Sequence, residues 1–182
     1  MDSITLQRIQ TLHPSVRQEV ETIYKEICTK LTGRAEVRFT YTLRTEAEQR
    51  ALFAQGRQNL TTVNSLRKAA NMGPITAAQN KVVTRAREWQ SIHNFGLALD
   101  FCLLIDNKEV SWDMRKDFDN DKKPDWMEVV EVFKKYNWIW GGDWKSFKDA
   151  PHFEKTFGHT VSQLNEKRNK REFISGTTYV KL

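Results

Sequence analysis

Two short segments, Ser91–Asp100 and Asp149–Glu154, constrain this 182-residue chain more than anything else in it. The first carries His93 and Asp100, and the second, much further along, carries Asp149 and His152. Two neutral imidazole nitrogens and one carboxylate oxygen suit the borderline softness of zinc. Three protein ligands also leave a fourth tetrahedral position open to water, as a hydrolytic centre requires. Asp149, three residues before His152, is then a carboxylate that need not be a ligand, and a carboxylate beside an activated water is what a general base must be. Any fold for this chain has to bring side chains that are remote in sequence around one point.

Taken singly, each residue has a plainer reading. A histidine beside aromatic residues is usually half-buried and hydrogen-bonded. Asp100 alone reads as a turn or capping residue, and Asp149 before Ala150-Pro151 as a loop acid. Jointly the odds change, because the chain has only four histidines. The other two have structural explanations: His13 precedes Pro14 at a helix start, and His159 follows Gly158 in a loop or at the beginning of a helix.

The full segment Ser91-Ile92-His93-Asn94-Phe95-Gly96-Leu97-Ala98-Leu99-Asp100 matches the pattern Ser-x-His-x-x-Gly-x-Ala-x-Asp. Through it the chain resembles the zinc peptidases that cut D-amino-acid-containing peptides of bacterial cell walls. That family holds D-Ala-D-Ala dipeptidases and carboxypeptidases together with the L-alanyl-D-glutamate endopeptidases found as bacteriophage endolysins. Asp149-Ala150-Pro151-His152 and the preceding Trp140–Lys148 stretch resemble the endopeptidase branch. Leu43–Gln49, with Gln55-Gly56-Arg57 behind it, resembles the family's substrate-side arginine region, so the likeness spans roughly residues 3 to 160.

The resemblance implies an α+β fold of the hedgehog/DD-peptidase-like kind. It would be a single compact catalytic domain over residues 1–182, with a small antiparallel sheet, a zinc site flanked by helices, a core over about 3–160, a C-terminal helix and tail over 161–182, and no separate wall-binding domain. It implies zinc held by His93, Asp100 and His152, Asp149 as the base, Arg44 sharing the oxyanion, and Ser91 and Gln49 orienting substrate. A structural salt bridge is the plainer role for Arg44. The implied substrate is the peptidoglycan stem peptide, cut at the L-alanyl-D-glutamate bond by a phage endolysin that lyses its host. A D-alanyl-D-alanine carboxypeptidase would use the same zinc chemistry. A non-catalytic wall-binding protein would retain the fold but have no use for Asp149, and a metal nuclease would need phosphate-contacting residues around the histidines.

A chain of this length buries about 70% of its unfolded surface, enough for a core without staples. The formal net charge of +6 and pI near 9.3 favour acidic partners. The basic residues are scattered, however, and the densest cluster, Lys167, Arg168, Lys170 and Arg171, reads as a solvated helix face. Anionic wall polymers therefore fit as well as nucleic acid, which is not expected as a partner. Cys28 and Cys102, on a helix face and an apolar strand, read as buried thiols without metal-ligand spacing. No continuous apolar stretch of about 7 to 15 residues follows Met1, so no signal peptide is expected. Leu103-Leu104-Ile105 is far too short to span a membrane. The expectation is a monomer made in the cytoplasm that acts on the wall, in the periplasm or outside the cell, after release through holes made by a separate membrane protein.

Along the chain, Val16, Val20, Ile23, Tyr24, Ile27, Cys28 and Leu31 fall at helical spacing after Pro14. Glu36–Leu43 alternates as a half-buried strand. Thr45 and Glu48 form a capping box for a helix that stops near Gly56. Residues 56–80 lose all period and read as a long surface loop. Leu97–Ile105 reads as a buried strand, with a hairpin-like turn at Asp106-Asn107-Lys108, and Trp126, Val129, Val130 and Phe133 describe a further helix. Among Trp138, Trp140 and Trp144 at least one should be core packing, with stacking on substrate as the sharper option. Thr160 and Gln163 cap a last helix.

Asp117, Asp119, Asp121, Asp125 and Glu128 stand at positions one, three, five, nine and twelve, the spacing of a calcium loop. Lys122 sits where such a loop turns on glycine, and Pro124 is also awkward. Favourable placement of acids at the positive end of the following helix is the alternative. Calcium on Asp117, Asp119 and Asp121 is thus a second possible cofactor beside zinc.

Overall fold

Asp2 and His13 start the two helices that open the chain. The Asp2 carboxylate accepts from the Thr5 backbone N at 3.0 Å and caps α1 (Ser3–Ile9), a helix that the apolar spacing did not reveal. His13 Nδ1 accepts from Ser15 N at 3.2 Å and caps α2 (Pro14–Lys30), with Pro14 at its first position. His13 is fully buried in this structural role. The computed structural model describes residues 1–182. It contains six α-helices and one antiparallel sheet, the α+β class expected.

The chain forms two compact units, each assembled from two stretches. One consists of Met1–Leu43 and Gly96–Phe157, and it holds the entire sheet. Strand β1 (Ala35–Tyr41) runs antiparallel along one edge of β2 (Ala98–Ile105). The other edge of β2 is shared: β3 (Glu109–Ser111) pairs with Leu103–Ile105, and β5 (His152–Glu154) with Ala98–Asp100. Strand β4 (Ile139–Trp140) then pairs with β5. Asp106 and Asn107, with φ of 50° and 57°, make the tight hairpin turn between β2 and β3.

The core of this unit is aromatic. Phe133, on α5 (Asp125–Lys135), stacks on Phe153 at 4.2 Å between ring centroids and meets Trp138 edge-on at 5.6 Å. Phe101 lies 5.6 Å from Phe153 and 4.2 Å from Trp126. Val16, Val20, Ile23, Tyr24 and Ile27 form the buried stripe of α2. Cys28, one step beyond Ile27, falls off that stripe and is exposed, contrary to the expectation of a buried thiol. Cys102 is buried, and burial pushes its thiol up to about 11.

The second unit consists of Arg44–Phe95 and Gly158–Leu182. The Thr45/Glu48 capping box starts α3 (Glu46–Ala54), as expected. The stretch 56–80, expected to be an unstructured loop, contains helix α4 (Leu60–Ala69). Its sequence disguised it because only Val63 is fully buried, while polar side chains do the anchoring. Asn59 caps the helix by accepting from Thr62 N, Asn64 accepts from and donates to the Ile75 backbone, and Arg67 donates to Gln55 Oε1 and Gly73 O. Thr160 and Gln163 cap α6 (Val161–Asn169) reciprocally. The tail closes on itself through the Phe173–Val180 bridge, which buries Val180. No helix is long and apolar enough to cross a membrane.

Phe133 touches rings from several elements, so its truncation leaves a cavity that neighbours cannot fill. Phe133→Ala is expected to cost about 3–5 kcal/mol, read as a fall in the urea midpoint at unchanged slope.

Candidate metal centre

Strand pairing alone sets half of the site. Asp100 on β2 is the direct cross-strand partner of His152 on β5, so both side chains leave the same face of the sheet. His152 Nδ1 and Asp100 Oδ1 are 3.1 Å apart. Glu154, two residues on and therefore on that same face, reaches His152 Nε2 at 3.1 Å. Phe153 between them points the opposite way and is fully buried. His152 is thus held by a carboxylate at each ring nitrogen and is 6% exposed.

Burial opposes charge on the His152 imidazole, but hydrogen bonds to Asp100 and Glu154 outweigh it and push its pKa up to about 9. In the metal-free protein this ring is therefore a cation at neutral pH. Two carboxylates this close need a positive charge between them.

The segment before β5 is braced from one side. Asp149 N donates to Gly141 O at 3.0 Å, His152 N donates to Asp149 O at 3.1 Å, and Trp140 Nε1 donates to Ala150 O at 2.7 Å. A Cβ on Gly141 would stand 2.4 Å from Asp149 O and 3.1 Å from the Cβ atoms of Asp149 and His152. Only glycine allows this approach. Trp138 and Trp140 are buried, as expected for at least one indole, while Trp144 is half-buried with its ring 5.1 Å from that of His152.

In the second unit, His93 lies on a 3₁₀ turn, Ile92–Phe95, and is 2% exposed. Ser91 and Asn94 hold the turn reciprocally: Ser91 N donates to Asn94 Oδ1 at 3.3 Å and Asn94 N to Ser91 O at 3.0 Å. Ser91 Oγ accepts from His93 N at 3.3 Å. Arg44 is tied to the same turn, its backbone N donating to His93 O at 3.0 Å and its carbonyl accepting from Asn94 Nδ2 at 2.8 Å. The buried Arg44 guanidinium donates to Gln49 Oε1 at 3.2 Å. Gln49, fully buried, donates in turn to Ala86 O at 2.6 Å.

Within the unit that holds the sheet, Asp100 and His152 offer an oxygen and a nitrogen to one point, and His93 on its 3₁₀ turn is the further imidazole among the candidates. Donors on one tetrahedral zinc, each at about 2.1 Å, stand about 3.4 Å apart, close to the 3.1 Å between His152 Nδ1 and Asp100 Oδ1. The remaining His152 nitrogen meets the Glu154 carboxylate, the outer-shell arrangement that fixes a ligating imidazole. A nitrogen and an oxygen donor at this spacing fit zinc. Sequence reasoning missed Glu154 and the close approach at Gly141. The alternation in His152-Phe153-Glu154 carried the first signal, but the second depends on a loop contact that spacing does not reveal.

A family model described as D-alanyl-D-alanine carboxypeptidase, from the M15 peptidases, matches residues 84–155, which include every ligand candidate and Asp149. The chain is 36% identical over 143 residues to the peptidoglycan L-alanyl-D-glutamate endopeptidase CwlK of Bacillus subtilis (strain 168), covering 79% of this chain and 72% of CwlK. Among solved structures it is similar to the crystal structure of the Serratia marcescens L-Ala D-Glu endopeptidase ChiX. That match has 19% identity and a TM-score of 0.47, covering 86% of this chain and 90% of that one.

The His152 pair gives a signed pH effect. A folded-state pKa raised above its unfolded value of about 6.5 contributes stability that is complete below that value and is lost as pH rises through about 9. Chelator-stripped protein should therefore show a falling thermal midpoint between pH 6.5 and 9, and Glu154→Gln should flatten that fall.

Proposed function

The chain belongs to the M15 family of peptidases, and from that premise we propose that it is a zinc-dependent endopeptidase of the peptidoglycan stem peptide, cutting the bond between L-alanine and D-glutamate. The observation that carries the proposal is the placement of Asp100 directly opposite His152, 3.1 Å away, with Asp149 on the segment that leads into His152 and His93 as the further candidate ligand. The L-alanyl-D-glutamate choice rests on identity to CwlK over most of both chains.

His93, Asp100 and His152 would hold the metal. Zinc, when bound, supplies a Lewis acid for the scissile carbonyl and makes water acidic enough to be deprotonated near neutral pH. Asp149 takes the proton of the attacking water and returns it to the leaving amine, a role worth about 10²–10⁴ in rate for a positioned general base. The Gly141 carbonyl and the Trp140–Ala150 hydrogen bond fix the backbone from which it acts. Arg44 supplies positive charge to the oxyanion that develops on the former carbonyl. Its support is the pair of backbone hydrogen bonds to the His93 turn, which hold it in register with a metal ligand.

Gln49 is a positioning residue in this scheme, since its amide is engaged with Arg44 and Ala86 rather than presented to a ligand. Ser91 likewise acts through the His93 turn, with substrate orientation by its hydroxyl a further part of the proposal. The basic net charge of +6 suits approach to anionic wall polymers. On the resemblance of the Trp140–Lys148 and Asp149–His152 segments to the endolysins of the endopeptidase branch, we extend the reading to bacteriolysis as a phage endolysin. The family model's description favours one second reading, a D-alanyl-D-alanine carboxypeptidase.

Purified murein digested with the protein, with and without chelator, separates these readings by mass spectrometry of the products. New amino-terminal D-glutamate is expected, and it should vanish with chelator. Loss of terminal D-alanine alone would establish the carboxypeptidase, and no product would leave only wall binding. Asp149→Ala should retain zinc and lose about 10²–10⁴ in kcat, whereas His93→Ala and His152→Ala should lose zinc itself. An Asp149→Ala protein as active as wild type would remove Asp149 as base.

A further inference from the structure

Ahead of the His93 turn the chain reverses through Arg87-Glu88-Trp89-Gln90, and the third of these residues has an unusual conformation. Gln90 N donates to Arg87 O at 3.0 Å, and Gln90 Oε1 accepts from Arg87 N at 3.0 Å, which closes the turn from both sides. Trp89 has φ 61°, the left-handed backbone that glycine or asparagine ordinarily supplies at the third position of a turn. For a bulky residue that conformation is disfavoured. An indole held where a bare Cα would serve better locally points to work done by the side chain.

Two helices and a ring grip it. Trp89 Nε1 donates to Glu46 Oε2 on α3 at 2.8 Å, and the Arg168 guanidinium of α6 lies over the indole, 3.8 Å from its ring centre. Cation–π attraction of this kind gains strength where water is partly excluded, and both residues are half-buried. Asn165, one turn earlier on α6, donates from Nδ2 to Trp89 O at 2.6 Å. Glu46 also pairs with Arg50 at 2.8 Å, and Arg50 with Glu88 at 2.6 Å, so the residue before the indole is fastened to α3 as well. The indole meets the ring of Phe95, with centroids 5.9 Å apart. Phe95 ends the 3₁₀ turn and Ser91, two residues after Trp89, leads into it, so Trp89 borders both ends of the segment that carries His93.

We propose that Trp89 is a positioning residue, a latch by which α3 and α6 hold the 3₁₀ turn in the form that presents His93. The inference rests on the reading of His93 as a zinc ligand. Its consequence is that α6 belongs to the metal-binding machinery rather than to a separable tail. A ligand already fixed in the free protein loses less conformational freedom on capture, so the latch acts on zinc affinity. The strain at Trp89 is sustained because the grip on its side chain outweighs it.

The test uses the full chain, stripped of metal, and follows amide hydrogen exchange together with zinc affinity in competition with a chromophoric chelator. Arg44 N and Asn94 N, which donate to His93 O and Ser91 O, report the His93 turn, and Gln90 N reports the turn before it. Arg168→Ala and Asn165→Ala should speed exchange at Arg44 and Asn94 severalfold and weaken zinc binding about tenfold. Arg168→Lys keeps a cation over the ring and should restore most of both. Trp89→Gly suits the backbone, so Gln90 should stay protected while the other two amides open and zinc weakens at least as much. Val63→Ala, which empties a core position of α4, should lower the thermal midpoint and leave zinc affinity unchanged. Wild-type exchange and affinity in Arg168→Ala and Trp89→Gly, or an equal loss of affinity in Val63→Ala, would overturn the latch. His93→Ala separates the two readings: if it binds zinc as wild type does while Arg168→Ala still opens Arg44 and Asn94, the ligand assignment fails and the latch on the turn stands.

Discussion

The short antiparallel pairing of β5 with β2 is the constraint on which the rest depends. It spans only three residue pairs, yet it sets Asp100 opposite His152 and places Glu154 beside them. Because side chains alternate across a strand, a slip of one residue would send His152 and Glu154 into the core and Phe153 out to the site. Phe153 prevents this. Its ring is stacked against Phe133 and lies near Phe101, so the cost of turning it outward is the cost of emptying an aromatic core. The chemistry on one face of β5 is therefore held in place by packing on the other.

That register also creates an electrostatic demand. Asp100 and Glu154 flank one imidazole, and without a metal the imidazole answers by holding a proton to about pH 9. A divalent ion on the Asp100 side answers the same demand with more charge, and it needs the neutral ring that the proton occupies. Metal capture and proton release are then two sides of one exchange. Glu154 remains at the other nitrogen in both states, where it keeps the ring oriented.

The parts of this molecule that were legible in sequence are those governed by local rules. Pro14, the Thr45/Glu48 and Thr160/Gln163 boxes and the Asp106-Asn107 turn are short-range devices, and each marks an element where it was expected. His93, Asp100 and His152 stood out as candidate ligands because ligand chemistry restricts residue types as well as spacing. Helix α4 was not, because its anchoring comes from Asn59, Asn64 and Arg67 through hydrogen bonds rather than from an apolar stripe. The exposure of Cys28 turns on a single step of helical phase. Gly141 and Glu154 needed the strands and loops to be assembled before their roles appeared.

The unit that contains the sheet holds two groups of acids in different surroundings. Around His152 the donors mix imidazole with carboxylate, and the group is small enough for a tetrahedral ion. In the 117–128 turn the clustered groups are carboxylates alone, Asp119 lying with Asp117 and Asp125 in one group and with Asp121 and Glu128 in another. Trp126, next to Asp125, and Phe101, next to Asp100, are wholly buried, with their ring centroids 4.2 Å apart. This close packing ties the position of α5 to that of β2, the strand that carries Asp100.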